Sequence, residues 1–333
     1  MASLSSWRDG WKRVLAAPAI AAGVFAMTIL MASPLAVAMR GAIAAHLGDS
    51  LAAGTAAAGV NYDWWQEFTS SSGLGATLSP SVIGFAIVLD NVSRVLDART
   101  PVAPLAATIA LYVAGWAFLS GGILDRYARQ RPIRAHGFFA ASGVHVFRFL
   151  RLAAFAGAVY WWLFAYLHPW LFDVQFGNLT RDMTVERSVF AVRIVLYAVF
   201  GILLAATSVV VDYTKVRIVV EDRRSVLGAI TAALRFVRNH PLQVITLYAL
   251  NALTFVALLA VWARLAPGAG GTGVSMWTVF LGAQLYIAAR LLLKLQFMSS
   301  QVALFQRNLA HASYVAAPPA MWPESPTAEA IRR

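Results

Sequence analysis

"SVFAVRIVLYAVFGILLAATSVVV", residues 188–211, carries one formal charge, Arg193, in its whole length. A helix rises about 1.5 Å per residue and needs about 20 apolar residues to cross a bilayer core. In hydrocarbon every backbone polar group must also be satisfied within the segment, which leaves a helix as the simplest solution. The stretch therefore reads as a transmembrane helix. Working outward, the runs 14–39, 101–124, 152–172 and 241–263 hold no formal charge, and a sixth run from Val274 stays uncharged until Arg290. The expectation is an all-α integral membrane protein with six spans, near 14–39, 101–124, 152–172, 188–211, 241–263 and 274–298. These form one transmembrane domain over 1–311, and the proline-bearing residues 312–333 read as a flexible cytoplasmic tail.

Composition agrees. Of 333 residues, 59% are hydrophobic and 13% charged, against about 25% charged in soluble domains. The absence of cysteine excludes disulfides, thiolate chemistry and Cys-ligated metals. Net charge is +12, and it is unevenly placed: the N-terminus with 125–151 and 212–240 holds fifteen Lys and Arg, whereas 40–100, 173–187 and 264–273 hold six. By the positive-inside rule, both termini are cytoplasmic. The charge is then a topology signal and an attraction to anionic headgroups, with no nucleic-acid partner. Ala36-Val37-Ala38 imitates a signal cleavage site, but the preceding uncharged run is longer than a signal core of about 7–15 residues. The first span is expected to remain uncleaved.

Between the first two spans, "AIAAHLGDSLAAG" and "SVIGFAIVLDNVSRVLD" have helical patterning, the second (within 80–97) too short to cross and so interfacial or re-entrant. These are expected as short extracytoplasmic helices within segment 40–100. Trp64 and Trp65 in "NYDWWQEF" suit an extracytoplasmic anchor at headgroup depth. Further along, His168 and Pro169 are expected to end the third span.

An aromatic–basic cluster precedes the first, third and fifth spans: Trp11-Lys12-Arg13, Phe147-Arg148 with Arg151, and Arg235-Phe236 with Arg238. The echo suggests three repeats of an amphipathic interfacial helix followed by a helical hairpin. The third copy is plainest in "DRRSVLGAITAALRFVRNHP", residues 222–241. Val226, Leu227, Ile230, Ala233, Leu234 and Val237 recur at helical steps and form one apolar face. Pro241 permits a new helix to begin. The basic elbow residues Lys12, Arg13, Arg148, Arg151, Arg235 and Arg238 are expected to face lipid.

Ionisable groups at membrane depth are the functional candidates. Arg290 and Lys294 lie four apart, on one face of the sixth helix. Asp125 and Asp212 close the second and fourth uncharged runs. A carboxylate at a helix C-terminus opposes the dipole and calls for a cation. The expectation is a buried ion-pair network in which Asp125 and Asp212 meet Arg290, Lys294 or the nearby Arg126 and Lys215. Arg193 is read as an outer anchor and Asn251 as an interhelical hydrogen-bonding group. The six histidines show no metal-ligand spacing, and no nucleophile elbow, P-loop or paired carboxylates occur. No catalytic residue, metal or cofactor is assigned.

The stretch "DYTKVRIVVEDRRSVLGAITAALRFVRNHP", 212–241, together with the three helix-then-hairpin units, resembles bacterial integral-membrane families. One of these is the membrane domain attached to some glycerophosphodiester phosphodiesterases. No catalytic motif of those enzymes is present, so the resemblance implies the membrane domain without the hydrolase activity. Segment 40–100 departs from the compact hairpins of that pattern. Functionally, the sequence is read first as a non-enzymatic bacterial inner-membrane scaffold or accessory subunit that contacts anionic lipid and other membrane subunits. A transporter or permease subunit with a path near Arg290 and Lys294 is the alternative, and a lipid-modifying enzyme a third.

Overall fold

A computed structural model describes residues 2–48, 50–58, 61–74, 93–98, 103–265 and 273–311. About 90% of these are helical and none lies in a strand. The elements are α1 (Ala2–Leu15), α2 (Pro18–Leu47), α3 (Ala52–Ala58), α4 (Tyr62–Ser71), α5 (Ala103–Arg129) and α6 (Ala135–Trp162). The sixth helix runs on through π-helical Leu163–Leu167 and Trp170–Gln175 to Phe176–Thr180. Then come α7 (Glu186–Val220), α8 (Val226–Asn239), α9 (Pro241–Leu265) and α10 (Val274–His311). Six of these, namely α2, α5, extended α6, α7, α9 and α10, are long and apolar enough to cross a membrane. The chain is a multi-pass membrane protein.

Much of the burial lies at the end of the bundle where α1 and α8 sit, called here the elbow end. There α10 is enclosed by α1, α5, α7 and α9, and from Leu295 to Phe305 only Phe297 and Met298 are less than buried. The last turns of α5, Ser120 to Tyr127, are buried throughout. Toward the other end, large apolar side chains such as Leu30, Ile202 and Leu253 stand exposed, as lipid-facing residues do. Among the residues of α2 only Val24 is buried, so the first span leans on α5 and α10 with little embedded surface.

α1 docks lengthwise on α10, the most extensive contact between two elements. Its buried face is Ser3, Ser6, Gly10 and Val14, a stripe of mostly small residues that lets two backbones approach. A Cβ on Gly10 would stand 3.0 Å from the Ser300 backbone nitrogen and 3.1 Å from its Cα. Hydrogen bonds add to the contact: Gln296 of α10 donates to the Trp7 carbonyl at 3.3 Å, and Ser3 donates to the Gln243 carbonyl of neighbouring α9 at 3.0 Å. Asp9 meets Arg307 at 3.1 Å.

α8 also lies on protein. Ser225 caps it, accepting from the Gly228 N–H at 3.2 Å, and Val226, Ala229, Ile230, Ala233 and Phe236 are buried against Tyr213 of α7 and Phe305 of α10. Leu227 and Leu234 are 66% and 50% exposed, so the apolar face read from the sequence is divided. One edge, through Ala229 and Phe236, meets protein, and the other faces outward.

The second unit differs from the repeat pattern. α1–α2 and α8–α9 break at Ala17 (φ −139°) and His240 (φ −129°), each just before a proline. Between Ala135 and Pro169 no proline intervenes, and the helix continues for 46 residues, about 69 Å. Arg148 and Arg151 thus ride on a continuous helix with no elbow. Pro169 does not end the third span as expected. π-helical turns flank it, and such bulges let a helix absorb a missing N–H. His168 Nε2 bonds the Leu96 carbonyl at 2.6 Å. The short helices α3 and α4 lie in segment 40–100; the helix expected over 80–97 falls largely outside the described residues, as does the tail 312–333.

Candidate functional site

α10 presents Ile287, Arg290, Leu291, Lys294 and Phe297 at three- and four-residue steps. These line a cleft of about 770 Å³ whose other walls come from α2, α5 and α9. Arg290 and Lys294 are both exposed, and both line this cleft. The Arg290 guanidinium lies 5.7 Å from the ring centroids of both Phe255 and Tyr286. Lys294 Nζ lies 3.5 Å from the Trp116 centroid and 5.1 Å from that of Tyr112. Phe255 is fourteen residues into α9 from Pro241, about 21 Å along the axis. The cations therefore sit deep in the apolar zone.

Magnitudes decide what this arrangement lacks. A cation near the centre of a bilayer costs about 2.5–3.5 kcal/mol on the lowest scale in use. A cation–π contact returns about 0.5–2 kcal/mol. Two cations held only by rings thus remain under-compensated, and among the described residues neither has a carboxylate within ion-pair distance. The cleft is an apolar, aromatic-walled space with an unmatched positive charge of two. Its chemistry suits an anion.

A polar cluster closes the cleft toward the elbow end. Asp212 of α7 accepts from Lys215 Nζ at 2.7 Å, from the Tyr248 hydroxyl at 3.1 Å and from Gln301 Nε2 at 3.3 Å. Gln301 also donates to the Tyr248 oxygen at 2.9 Å, and Tyr248 lines the cleft. Gln301 lies seven residues beyond Lys294, hence on the same face of α10. Asn251, another lining residue, donates to Ser300 Oγ at 3.4 Å and ties α9 to α10.

The expected ion-pair network forms only in part. Asp212 meets Lys215, but Asp125 accepts from Arg129 at 2.7 Å, and Arg126 donates to the Ala16 carbonyl at 3.3 Å. Arg290 and Lys294 pair with neither aspartate. Lys294 turns to Trp116, which precedes Asp125 by nine residues, about 13 Å along α5. Helical spacing showed that the two cations share a face, but not which neighbour that face meets. Tyr112, Trp116, Tyr248, Phe255 and Gln301 were not singled out by sequence. The four-residue step from Tyr112 to Trp116 was the available signal.

The basic elbows divide as well. Lys12, Arg151, Arg235 and Arg238 are exposed. Arg13 instead donates to the Tyr127 carbonyl at 3.0 Å and to Gln306 Oε1 at 2.9 Å. Arg148 bonds Asp222 at 2.5 Å and the Arg223 carbonyl at 3.4 Å. These two act as internal struts, and Arg13 also lines a polar pocket beside α1. Trp64 and Trp65 are half-buried: the Trp64 indole N–H donates to His46 Nδ1 at 3.1 Å, and its ring stacks on buried Phe68. Arg193 lies over the Phe176 ring at 4.8 Å. Among the described residues no three His, Asp or Glu side chains could hold a metal ion.

Comparison with family models, with curated proteins and with solved structures found no match to this chain.

Proposed function

We propose that this protein is a non-enzymatic component of the bacterial inner membrane that takes an anionic solute into the α2–α5–α9–α10 cleft, as a transporter or permease subunit would. The observation that carries this reading is the pair Arg290 and Lys294, exposed to a cleft at membrane depth with aromatic rings but no carboxylates beside them. The uneven distribution of Lys and Arg supports an elbow end on the cytoplasmic side, together with both termini. α1–α2 and α8–α9 are read as two copies of an ancestral elbow-and-span unit, with α6 a copy whose elbow fused into the span.

A scaffold or accessory role is the second reading. It is favoured by the outward edge of α8, where exposed Leu227 and Leu234 adjoin Arg235 and Arg238, a surface that another membrane subunit or anionic lipid could cover. A lipid-modifying enzyme draws less support, because the cleft's nearest acid–base pair is Tyr248 and an Asp212 already accepting three hydrogen bonds.

The test is native mass spectrometry of the full chain extracted in a non-ionic detergent, with and without Arg290→Ala plus Lys294→Ala. The wild type is expected to carry an anionic adduct that the double variant lacks, with the thermal midpoint unchanged or raised because two unmatched cations are gone. An unchanged adduct pattern, or a loss of stability without a change in adducts, would show that the cations are structural and defeat the reading.

A further inference from the structure

Two further spaces, one apolar and one polar, meet near the joint of α1 and α2. An apolar pocket of about 640 Å³ runs between α2, the C-terminal half of α5 and the start of α6, within the size range of ligand sites, about 300–1,000 Å³. A polar pocket of about 360 Å³ lies at the joint of α1 and α2, lined by Asp9, Lys12, Arg13, Ala16, Arg126 and Gln130. The two share Ala16 and Arg126. We infer that this joined space binds one anionic phospholipid, its headgroup among Lys12, Arg13 and Arg126 and an acyl chain between α2 and α5.

Charge carries the first half of the argument. Three cations face one carboxylate, and that carboxylate, Asp9, is shared between Arg307 at 3.1 Å and Lys12 at 4.0 Å, which leaves the pocket net positive. Arg126 is 8% exposed. A guanidinium has five N–H donors, yet among the described residues this one makes a single hydrogen bond, to the Ala16 carbonyl. A buried arginine with most of its donors uncommitted, at a pocket of net positive charge, suits the fork geometry that phosphate oxygens match.

Depth and shape carry the second half. The uncharged run of α5 ends at Leu124, so Asp125 and Arg126 mark the level of the headgroups. From there the apolar pocket follows α2 from Pro18 to Met31, about 20 Å, in the direction an acyl chain runs from its headgroup. Met31 packs across Gly115, where an added Cβ would stand 2.4 Å from its Cε, so the two residues narrow the far end. α2 is buried only at Val24, which leaves room beside it for a lipid chain to complete its packing.

The experiment uses the full chain exchanged from mixed micelles into lipid-free non-ionic detergent, with retained lipid counted per protein. Gly23 lines the apolar pocket with nothing within 4 Å of a built Cβ, so Gly23→Leu starts a side chain into open space there. Phosphatidylglycerol is expected to remain at one per chain and phosphatidylcholine to wash out. Gly23→Leu is expected to cut retention about tenfold by displacing chain methylenes, and the exposed Lys12→Gln about fivefold by removing one surface cation. Arg126→Gln should abolish retention; should it fail to fold, the other two variants decide. Arg290→Ala with Lys294→Ala should leave this lipid in place, which separates the site from the cleft. Equal retention of phosphatidylcholine, displacement by inorganic phosphate, or wild-type retention in both Gly23→Leu and Lys12→Gln would each overturn the assignment.

Discussion

α1 and α8 are both fourteen residues long and both lead into a helix that starts on a proline, yet different forces hold them. α1 turns serines and a glycine toward α10, and its seam is built from backbone proximity and polar bonds. α8 turns Val226, Ile230 and Phe236 inward, and its seam is apolar area with aromatic contacts. An area-driven seam loses stability in proportion to what is removed from it. A proximity-driven seam tolerates removal but not addition, because a backbone cannot retreat as a side-chain tip can. The same amphipathic outline in sequence thus conceals two opposite sensitivities.

The largest effect is expected on the α8 side. Ile230 is 6% exposed and Leu227 66%, although the two lie three residues apart on what reads as a single apolar face. Ile230→Asp places a carboxylate in the core and removes a buried side chain, a loss of about 5 kcal/mol. Leu227→Asp changes the outward edge and is expected to cost about 1 kcal/mol. Thermal unfolding in detergent separates the two, and equal losses would show that α8 is not seated as described.

On the α1 side, Gly10→Leu is expected to cost about 3 kcal/mol by forcing α1 off Ser300, while Ser6→Ala, a deletion in the same seam, should be nearly silent. Protease access to the first fifteen residues gives a direct readout: Gly10→Leu should expose them and Ser6→Ala should not. Should both variants stay as resistant as the wild type, the close approach at Ser300 does not hold α1 in place.

The spans were legible because hydrophobic run length is a one-dimensional property, and most of each uncharged run lies within one long helix. Their ends were less so. Span six was read to 298 and runs to His311, since its buried polar residues Gln296, Ser299, Ser300 and Gln301 look like surface until α1, α7 and α9 close around them. Pro241 was legible as a helix start, whereas Pro18 lay unremarked inside the run 14–39 and Pro169 misled, because a π bulge can absorb what an α turn cannot. The site was half legible. Arg290 and Lys294 stand out as charges in an apolar run, but Tyr112, Tyr248 and Phe255 are ordinary residues until the packing of four helices gives them a shared cleft. Arg126 was read only as a possible partner for an aspartate, and its burial with a single hydrogen bond to the Ala16 carbonyl is what distinguishes it.

The smallest effect concerns the turn that aims α8, and it is a matter of pH. Glu221 ends α7 and accepts from Arg217 at 2.7 Å and from Arg223; Arg217 also donates to the Ala232 carbonyl at 2.5 Å, tying the turn to α8. Burial alone would raise the carboxyl of Glu221, but the hydrogen bonds and charges of the two arginines outweigh it and hold the group below its ordinary 4.5. Asp222, in the left-handed region at φ 48°, is likewise held below 3.8, chiefly by its hydrogen bond from Arg148. A carboxyl depressed in the folded state adds stability that is fully present above its unfolded value and is lost as pH falls through the folded one. Glu221→Gln, which cannot ionise, is therefore expected to be about 1–2 kcal/mol less stable than the wild type near neutrality. The gap should narrow as pH falls below about 5 and through the depressed folded value of the carboxyl, where the wild-type side chain protonates and resembles the amide. Thermal midpoints of the two proteins across that range supply the check. A gap that does not narrow as the solution is acidified would mean that the turn is held by shape rather than by charge, which would make the α8 joint resemble the α1 joint after all.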